Sequence, residues 1–167
     1  MSVLPLCVKP HPVLRTVARR VDAVTADIRK LARDLADTMY AHDGIGLAAS
    51  QVGRDLQLFI ANPSQERGRE LVVLNPVLEA AEGRAGVVEG CLSLPHMWAR
   101  VRRAARIRMS GQDLTGTPVM LRAEGLLAIV LQHEFDHLQG RLFIDRVSWL
   151  RRRRLEAKAR AAARAAK

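Results

Sequence analysis

The sequence predicts an α+β fold, with short antiparallel strands packed around a central helix and further helices near the N-terminus and at the C-terminus. Three observations support this. Apolar residues recur at helical spacing after residue 25, a turn-rich segment after residue 110 separates two strand-like runs, and an apolar run without proline begins at Glu124. No linker divides the 167 residues, so we expect one folded unit over residues 1–147 and a basic tail over 148–167.

The N-terminal part is predicted to contain one helix. Residues 1–20 are interrupted by three prolines and should form loops and short extended pieces. Thr25 is a candidate N-cap for a helix that runs to about His42. The helix carries an apolar stripe suited to a core: Ile28, Leu31, Leu35 and Met39. Gly44 is expected to cap its C-terminal end.

Four segments have the composition of strands, with turn residues at their ends: 56–61, 71–74, 106–110 and 118–121. Asn75-Pro76 is expected to end the second strand. The last two are separated by residues 111–117, which are rich in turn formers, and this pattern predicts a hairpin.

The central helix carries the most informative segment, His133-Glu134-Phe135-Asp136-His137. Histidines at positions i and i+4 lie on one face of a helix, so both imidazoles can bind one metal ion. Glu134 then lies beside the metal, where it can move protons for a bound water. Gly140 is well placed to end the helix. The alternative is a helix with two ordinary surface histidines.

A catalytic metal site of this kind needs a third protein ligand and one open position. Cys91 is a candidate because a thiolate binds soft or borderline metals and because Gly90 and Pro95 shape the loop around it. The alternative for Cys91 is that it is a buried, unreactive cysteine. On chemistry alone, His96 is an equally possible third ligand. Cys7, His11 and His42 lie in less suitable surroundings.

A third segment, Gly44-Ile45-Gly46-Leu47-Ala48-Ala49-Ser50-Gln51, is rich in small residues. Its glycines allow a close approach of backbone to a ligand. The Gln51 amide can donate a hydrogen bond to a developing oxyanion. A tightly packed strand after a helix cap is the structural alternative.

The composition indicates a reducing compartment. Two cysteines without a pairing pattern argue against a disulfide framework. No run of about 20 apolar residues is present, so no membrane span and no membrane partner are expected. The N-terminus lacks the pattern of a secretion signal. We therefore expect a cytoplasmic protein.

The net charge of +10 is concentrated in part at the C-terminus. Four arginines at 151–154 open a tail with further basic residues between alanines, and Ser148 can cap a helix there. Such a helix either contacts RNA phosphates or is simply solvated.

Three segments together resemble the peptide deformylases, which are marked by GxGLAAxQ, EGCLS and QHExDH in that order. Here they are Gly44 to Gln51, Glu89 to Ser93 and Gln132 to His137. The resemblance extends over nearly the whole chain and is closest to the bacterial type with a long basic C-terminal helix. It implies a metal-dependent hydrolase that removes the formyl group from N-formylmethionyl nascent peptides and releases formate.

The resemblance also implies roles for single residues. Cys91, His133 and His137 match the metal ligands, and Glu134 matches the catalytic acid and base. Gln51 and the backbone N–H of Leu92 match the oxyanion donors. The substrate-binding positions are Ile45, Gly46, Val87, Gly90, Leu126, Ile129 and Val130. Glu89 and Arg103 match a buried ion pair that supports the site.

The implied cofactor is one divalent ion, Fe²⁺ in the cell with Zn²⁺ or Ni²⁺ as alternatives. The implied partner is the ribosome, whose RNA phosphates and exit-site proteins would contact the C-terminal helix. The chain departs from many members at His96-Met97-Trp98, near the expected mouth of the substrate groove. Two other functions fit the residues: a metalloprotease, and an RNA-binding module with a closed structural metal site.

Overall fold

The computed structural model describes residues 2–165, which form three helices and seven strands. The helices are α1 (Ala26–Ala41), α2 (Gly125–Leu138) and α3 (Trp149–Ala165). The strands are β1 (Gly46–Ala48), β2 (Leu58–Ala61), β3 (Leu71–Glu82), β4 (Ala85–Glu89), β5 (Ala99–Arg103), β6 (Arg106–Gln112) and β7 (Pro118–Glu124). Short 3₁₀ turns cover Pro12–Arg15, Ala49–Val52 and Phe143–Arg146. This arrangement confirms the predicted α+β class.

Five strands form one antiparallel sheet in the order β1-β2-β3-β6-β7, and β4 pairs with β5 in a separate hairpin. Helix α2 packs against the larger sheet, and its residues Val130 and Leu131 join Phe59 and Met109 in a buried cluster. Helix α2 is buried on most sides. Its sequence is therefore a continuous apolar run and not an amphipathic stripe.

Helix α1 begins as predicted, with the Thr25 hydroxyl accepting a hydrogen bond from the Ile28 N–H. Its C-terminal end differs from the prediction. Asp43, with φ of 52°, occupies the left-handed position, and the Gly44 N–H bonds to the Met39 carbonyl. The cap is therefore a Schellman motif with aspartate, a residue that tolerates this conformation, in place of glycine.

Strand β3 is longer than predicted, because Asn75-Pro76 does not end it. The pairing register with β6 shifts between Leu74 and Val77, so Pro76 lies in a β-bulge. At that position the strand pairing does not need the N–H that proline lacks. The Asn75 side chain stabilises this kink by bonding to both backbone groups of Val21 and to Gln112. The β4–β5 hairpin was not predicted.

Helix α2 ends at Leu138, and Gly140 adopts φ of 65° after it. A Cβ at Gly140 would come within 2.7 Å of the Arg15 carbonyl oxygen, so both conformation and space require glycine there. The prediction for this position is confirmed.

The basic tail forms α3, which is described as far as Ala165; the prediction for residues 166–167 lies outside the described part of the chain. Glu156 of α3 pairs with Lys9, and Arg152 pairs with Asp145, so the helix is tied to the body. The boundary between 147 and 148 stays a prediction. Among residues 2–165, no helix combines the length and the apolar character needed to cross a bilayer.

Candidate metal centre and active site

The β4–β5 hairpin and helix α2 bring a sulfur atom and two imidazoles together. Cys91 follows β4, whereas His133 and His137 lie one turn apart on α2. One ligand atom from each of the three lies within 4.8 Å of the others, and the Cys91 Sγ is 3.2 Å from the His137 Nε2. His96 is exposed and is not part of this group. The three residues can hold one metal ion.

Behind these residues lies a buried network of charges. The His133 Nδ1 is 2.8 Å from the Glu89 Oε2, so its Nε2 is left to face the centre of the group. Arg103 donates to both Glu89 oxygens at 2.7 and 2.8 Å and also to Asp136. Arg146 donates to the same Asp136 carboxylate. The parts played by Asp136 and Arg146 were not predicted from sequence.

The network sets the protonation of the imidazoles and carboxylates. Burial would raise the pKa of Glu89, but its bonds to Arg103 and His133 outweigh this and hold the pKa at about 2. Burial lowers the pKa of His137 well below its usual value, which keeps the imidazole neutral and able to bind a metal. Burial alone would also lower the pKa of His133, but bonding to Cys91 and Glu89 raises it well above its ordinary value. The surroundings of His133 therefore favour a positive charge on its imidazole.

Glu134 follows His133 on α2, lies in the wall of a cavity that Cys91 and His133 also line, and is almost wholly buried. Its Oε2 has no hydrogen-bond partner within residues 2–165. Burial raises the pKa of Glu134 to about 7. A Cβ at Gly46 would meet the Glu134 Oε1 at 2.5 Å, so the carboxyl fits only because β1 has glycine there. A carboxyl with these properties can take up and release a proton near neutral pH.

Gln51 presents its amide nitrogen to the metal group. Its Oε1 accepts a bond of 2.8 Å from the Ala48 N–H, which assigns the orientation of the amide. The Nε2 then lies 3.5 Å from the Cys91 Sγ and 3.3 Å from the Ser93 Oγ. The Leu92 N–H, on the other side of Cys91, donates to no backbone acceptor in the part of the chain that the structure describes. The Leu92 N–H is thus free to donate to a ligand, and the Gln51 Nε2 directs its two long contacts at Cys91 and the adjacent Ser93.

A cavity of about 470 Å³ opens in front of these groups. The expected substrate positions on its wall are Ile45, Gly46, Val87, Gly90, Leu126 and Ile129. Val130 is not part of the wall; it is buried against Gly46. Sequence reasoning did not assign Leu94 or Pro95 to the wall, and no periodic pattern marks them.

A slightly larger groove of about 510 Å³ lies on the outer side of β3, β6 and β7. It is lined by arginines, glutamates and small apolar residues, and none of the metal-site residues reaches it. The chemistry of the molecule is therefore placed in the smaller cavity.

The sequence profile of the polypeptide deformylase family matches residues 3–153. The chain belongs to the polypeptide deformylase family. Over 159 residues it is 44% identical to a peptide deformylase of Acinetobacter baumannii (strain SDF), which covers 95% of this chain and 90% of that relative.

Solved deformylases have the same fold. The enzyme from Legionella pneumophila superposes with a TM-score of 0.93 at 34% identity, covering 98% of this chain and 96% of the other. The enzyme from Thermus thermophilus superposes with a TM-score of 0.89 at 42% identity, covering 95% and 94%. This deformylase is a hydrolase of protein biosynthesis that removes the N-terminal formyl group from nascent peptides.

Proposed function

We propose that Cys91, His133 and His137 bind one divalent ion and that Glu134 carries the proton of the deformylation reaction. Two observations carry this proposal: the three ligand atoms lie within 4.8 Å of one another, and Cys91, His133 and Glu134 line one cavity. A thiolate with two imidazoles suits Fe²⁺, Zn²⁺ or Ni²⁺, and Fe²⁺ is the ion proposed for the cell. Such an ion makes water nucleophilic near neutral pH.

Glu134 moves the proton. It takes a proton from the attacking water as the oxygen bonds to the formyl carbon, and it passes that proton to the methionine nitrogen as the C–N bond breaks. The products are formate and a peptide with a free amine. The pKa of about 7 that burial gives Glu134 suits both transfers.

Gln51 and Leu92 stabilise the charge that develops on the formyl oxygen. The Gln51 Nε2 and the Leu92 N–H flank Cys91. The N–H has capacity to donate, and the Nε2 can exchange one of its long contacts with Cys91 and Ser93 for a bond to the formyl oxygen. Donors held in place before the reaction lower its barrier because they need no reorganisation.

The substrate's methionine side chain occupies the apolar part of the cavity. Ile45, Val87, Leu126 and Ile129 line that part. An unbranched thioether adapts to such a wall. Gly46 and Gly90 lie in the wall, where their backbone groups can pair with the peptide backbone, since the space of a side chain at each is taken by Glu134 and Trp98.

The test is the Glu134→Gln variant, which keeps the size of the side chain but cannot carry the proton. Formate release from formyl-Met-Ala-Ser is measured anaerobically, with metal content determined on the same sample. We expect unchanged metal content and a rate reduced by about 10²–10⁴-fold. A variant that retains its metal and the original rate would refute the mechanism.

We also propose that the enzyme works in the cytoplasm and contacts the ribosome through α3. Arg153, Arg154, Arg160 and Arg164 are exposed and form no ion pair within residues 2–165, whereas Arg152 is paired with Asp145 and Glu156. Arginines without an acidic partner can bind RNA phosphates, and the one further contact among these four is that of Arg153 with the ring of Trp149, within residues 2–165.

Sedimentation with ribosomes at increasing salt tests this contact. Replacing those four free arginines by alanine should weaken co-sedimentation and flatten its salt dependence. Replacing four exposed arginines elsewhere (Arg33, Arg54, Arg84 and Arg102) serves as the control for net charge. Equal losses in both variants would reject a specific role for α3.

A further inference from the structure

Trp98 is a large exposed side chain beside the active-site cavity. It lies just before β5 and lines the cavity, although 65% of its surface is exposed. A Cβ at Gly90 would overlap carbon atoms of the indole, so one face of the ring rests directly on the Gly90 backbone. The ring is thus supported from below and open to a ligand from above.

Val88 shares the face of the hairpin on which Trp98 lies. The register pairs Val88 with Arg100 and Glu89 with Ala99, so the next pair is Gly90 with Trp98. Alternate residues of a strand point to the same side, which places Val88 beside Gly90 and Trp98. Val88 is 62% exposed and also lines the cavity. The two side chains form an apolar surface, called here the Trp98 shelf.

One edge of β4 is open. The hairpin is a two-stranded sheet in which β4, among residues 2–165, pairs only with β5. Residues 87–90, which are the end of β4 and its extension, all line the cavity. An extended peptide can add to such an edge as a further strand. Its successive side chains then alternate between the Val87 side and the Trp98 side of the hairpin.

We propose that the Trp98 shelf is a subsite for the residue that follows methionine and that it selects aromatic or large apolar side chains. This inference rests on the proposed function, in which the methionine side chain lies on the Val87 side. The next side chain along an extended peptide points to the opposite side, where Val88 and the indole are exposed. Contact between an aromatic side chain and the indole buries apolar surface and favours stacked or edge-to-face packing.

The first test compares formyl-Met-Phe-Ser with formyl-Met-Ala-Ser on the metal-loaded enzyme. The wild type should have a kcat/KM for the phenylalanine peptide about three- to tenfold higher. Trp98→Ala should bring the ratio close to unity, whereas Trp98→Phe should keep most of the preference. Both variants should fold, because the replaced side chain is mostly exposed.

The outcomes separate the two proposals. Formate release from neither peptide would refute the proposed function. Formate release with the same peptide ratio in wild type and Trp98→Ala would overturn the shelf alone. Dimerisation that depends on Trp98, with an unchanged ratio, would also overturn it and would assign the surface to contact between two copies.

A binding measurement gives a second readout that does not depend on turnover. The chain has two tryptophans, and Trp149 lies on α3, so Trp149→Phe leaves Trp98 as the single tryptophan, which can be excited selectively over Tyr40. Titration with the product Met-Phe-Ser should change its emission, and Met-Ala-Ser should bind about three- to tenfold more weakly. Saturation by Met-Phe-Ser without any change in emission would contradict contact with the indole.

Discussion

The Nδ1 of His133 and the Oε2 of Glu89 are 2.8 Å apart, although Glu89 ends β4 and His133 lies in the middle of α2. The pair joins the two elements that supply the three candidate metal ligands. A carboxylate bonded to the far nitrogen of an imidazole orients the ring and makes its other nitrogen a better ligand. Arg103 holds Glu89 in turn, so the orientation of His133 depends on a hairpin distant in sequence.

Glu89→Gln should weaken metal binding. The amide is a poorer acceptor than the carboxylate and pairs less well with Arg103, so the affinity for the ion should fall by about 10–100-fold. Competition with a chromogenic chelator measures this affinity. Glu79→Gln removes the same charge from an exposed strand position and is the control. Equal affinity in Glu89→Gln and wild type would contradict the role of Glu89.

Arg103→Ala should destabilise the fold strongly. The guanidinium is buried between Glu89 and Asp136, and its removal leaves the buried Glu89 carboxylate without its main partner and Asp136 with Arg146 as its remaining arginine. We expect the free energy of unfolding to fall by about 3–5 kcal/mol, measured by urea denaturation. Its exposed neighbour Arg102 is the control, and Arg102→Ala should change the value by less than about 0.5 kcal/mol.

Gln51→Glu should slow catalysis while leaving the local fold intact. The carboxylate can still accept from the Ala48 N–H, but it has no amide proton to donate towards Cys91. We expect kcat to fall by about 10²–10³-fold. Ser93→Ala removes the other bond of the Gln51 amide and should lower kcat less than about tenfold. A larger effect from Ser93→Ala would mean that the Gln51 amide acts mainly through Ser93.

Asp145 should make stability depend on pH. Burial would raise its pKa, but bonds from Arg15 and the Leu142 N–H, with the charge of Arg152, lower it below the ordinary value. Because the folded-state pKa is the lower one, the stabilisation is complete above the unfolded pKa of about 4 and is lost as the pH falls through the folded value.

Asp145→Asn should therefore lower the free energy of unfolding by about 1–2 kcal/mol at pH 7. The difference from wild type should shrink as the pH falls below about 4. Thermal unfolding across this range measures it, with the exposed Asp22→Asn as the control. A difference that stays constant down to about pH 2 would mean that the carboxylate charge is not the cause.

The main features of helix α2 could be predicted from the sequence. The i, i+4 spacing of its two histidines, the apolar run before them and the terminal glycine at 140 are all properties of neighbouring residues. A helix converts such spacing directly into a shared face. The helix, its end and the paired imidazoles were therefore predictable, as was the α+β class.

The surroundings of α2 depend on contacts between residues far apart in the chain. Asp136 bridges Arg103 and Arg146, because the hairpin that ends at Arg103 and the turn that follows α2 both pack against the helix. Likewise, β3 passes Pro76 because Asn75 finds partners in two other segments. Local propensity carries no information about such partners. The sequence alone therefore determined which reactive side chains α2 carries. Only the tertiary structure decided which residues hold those side chains in place and which residues border the substrate.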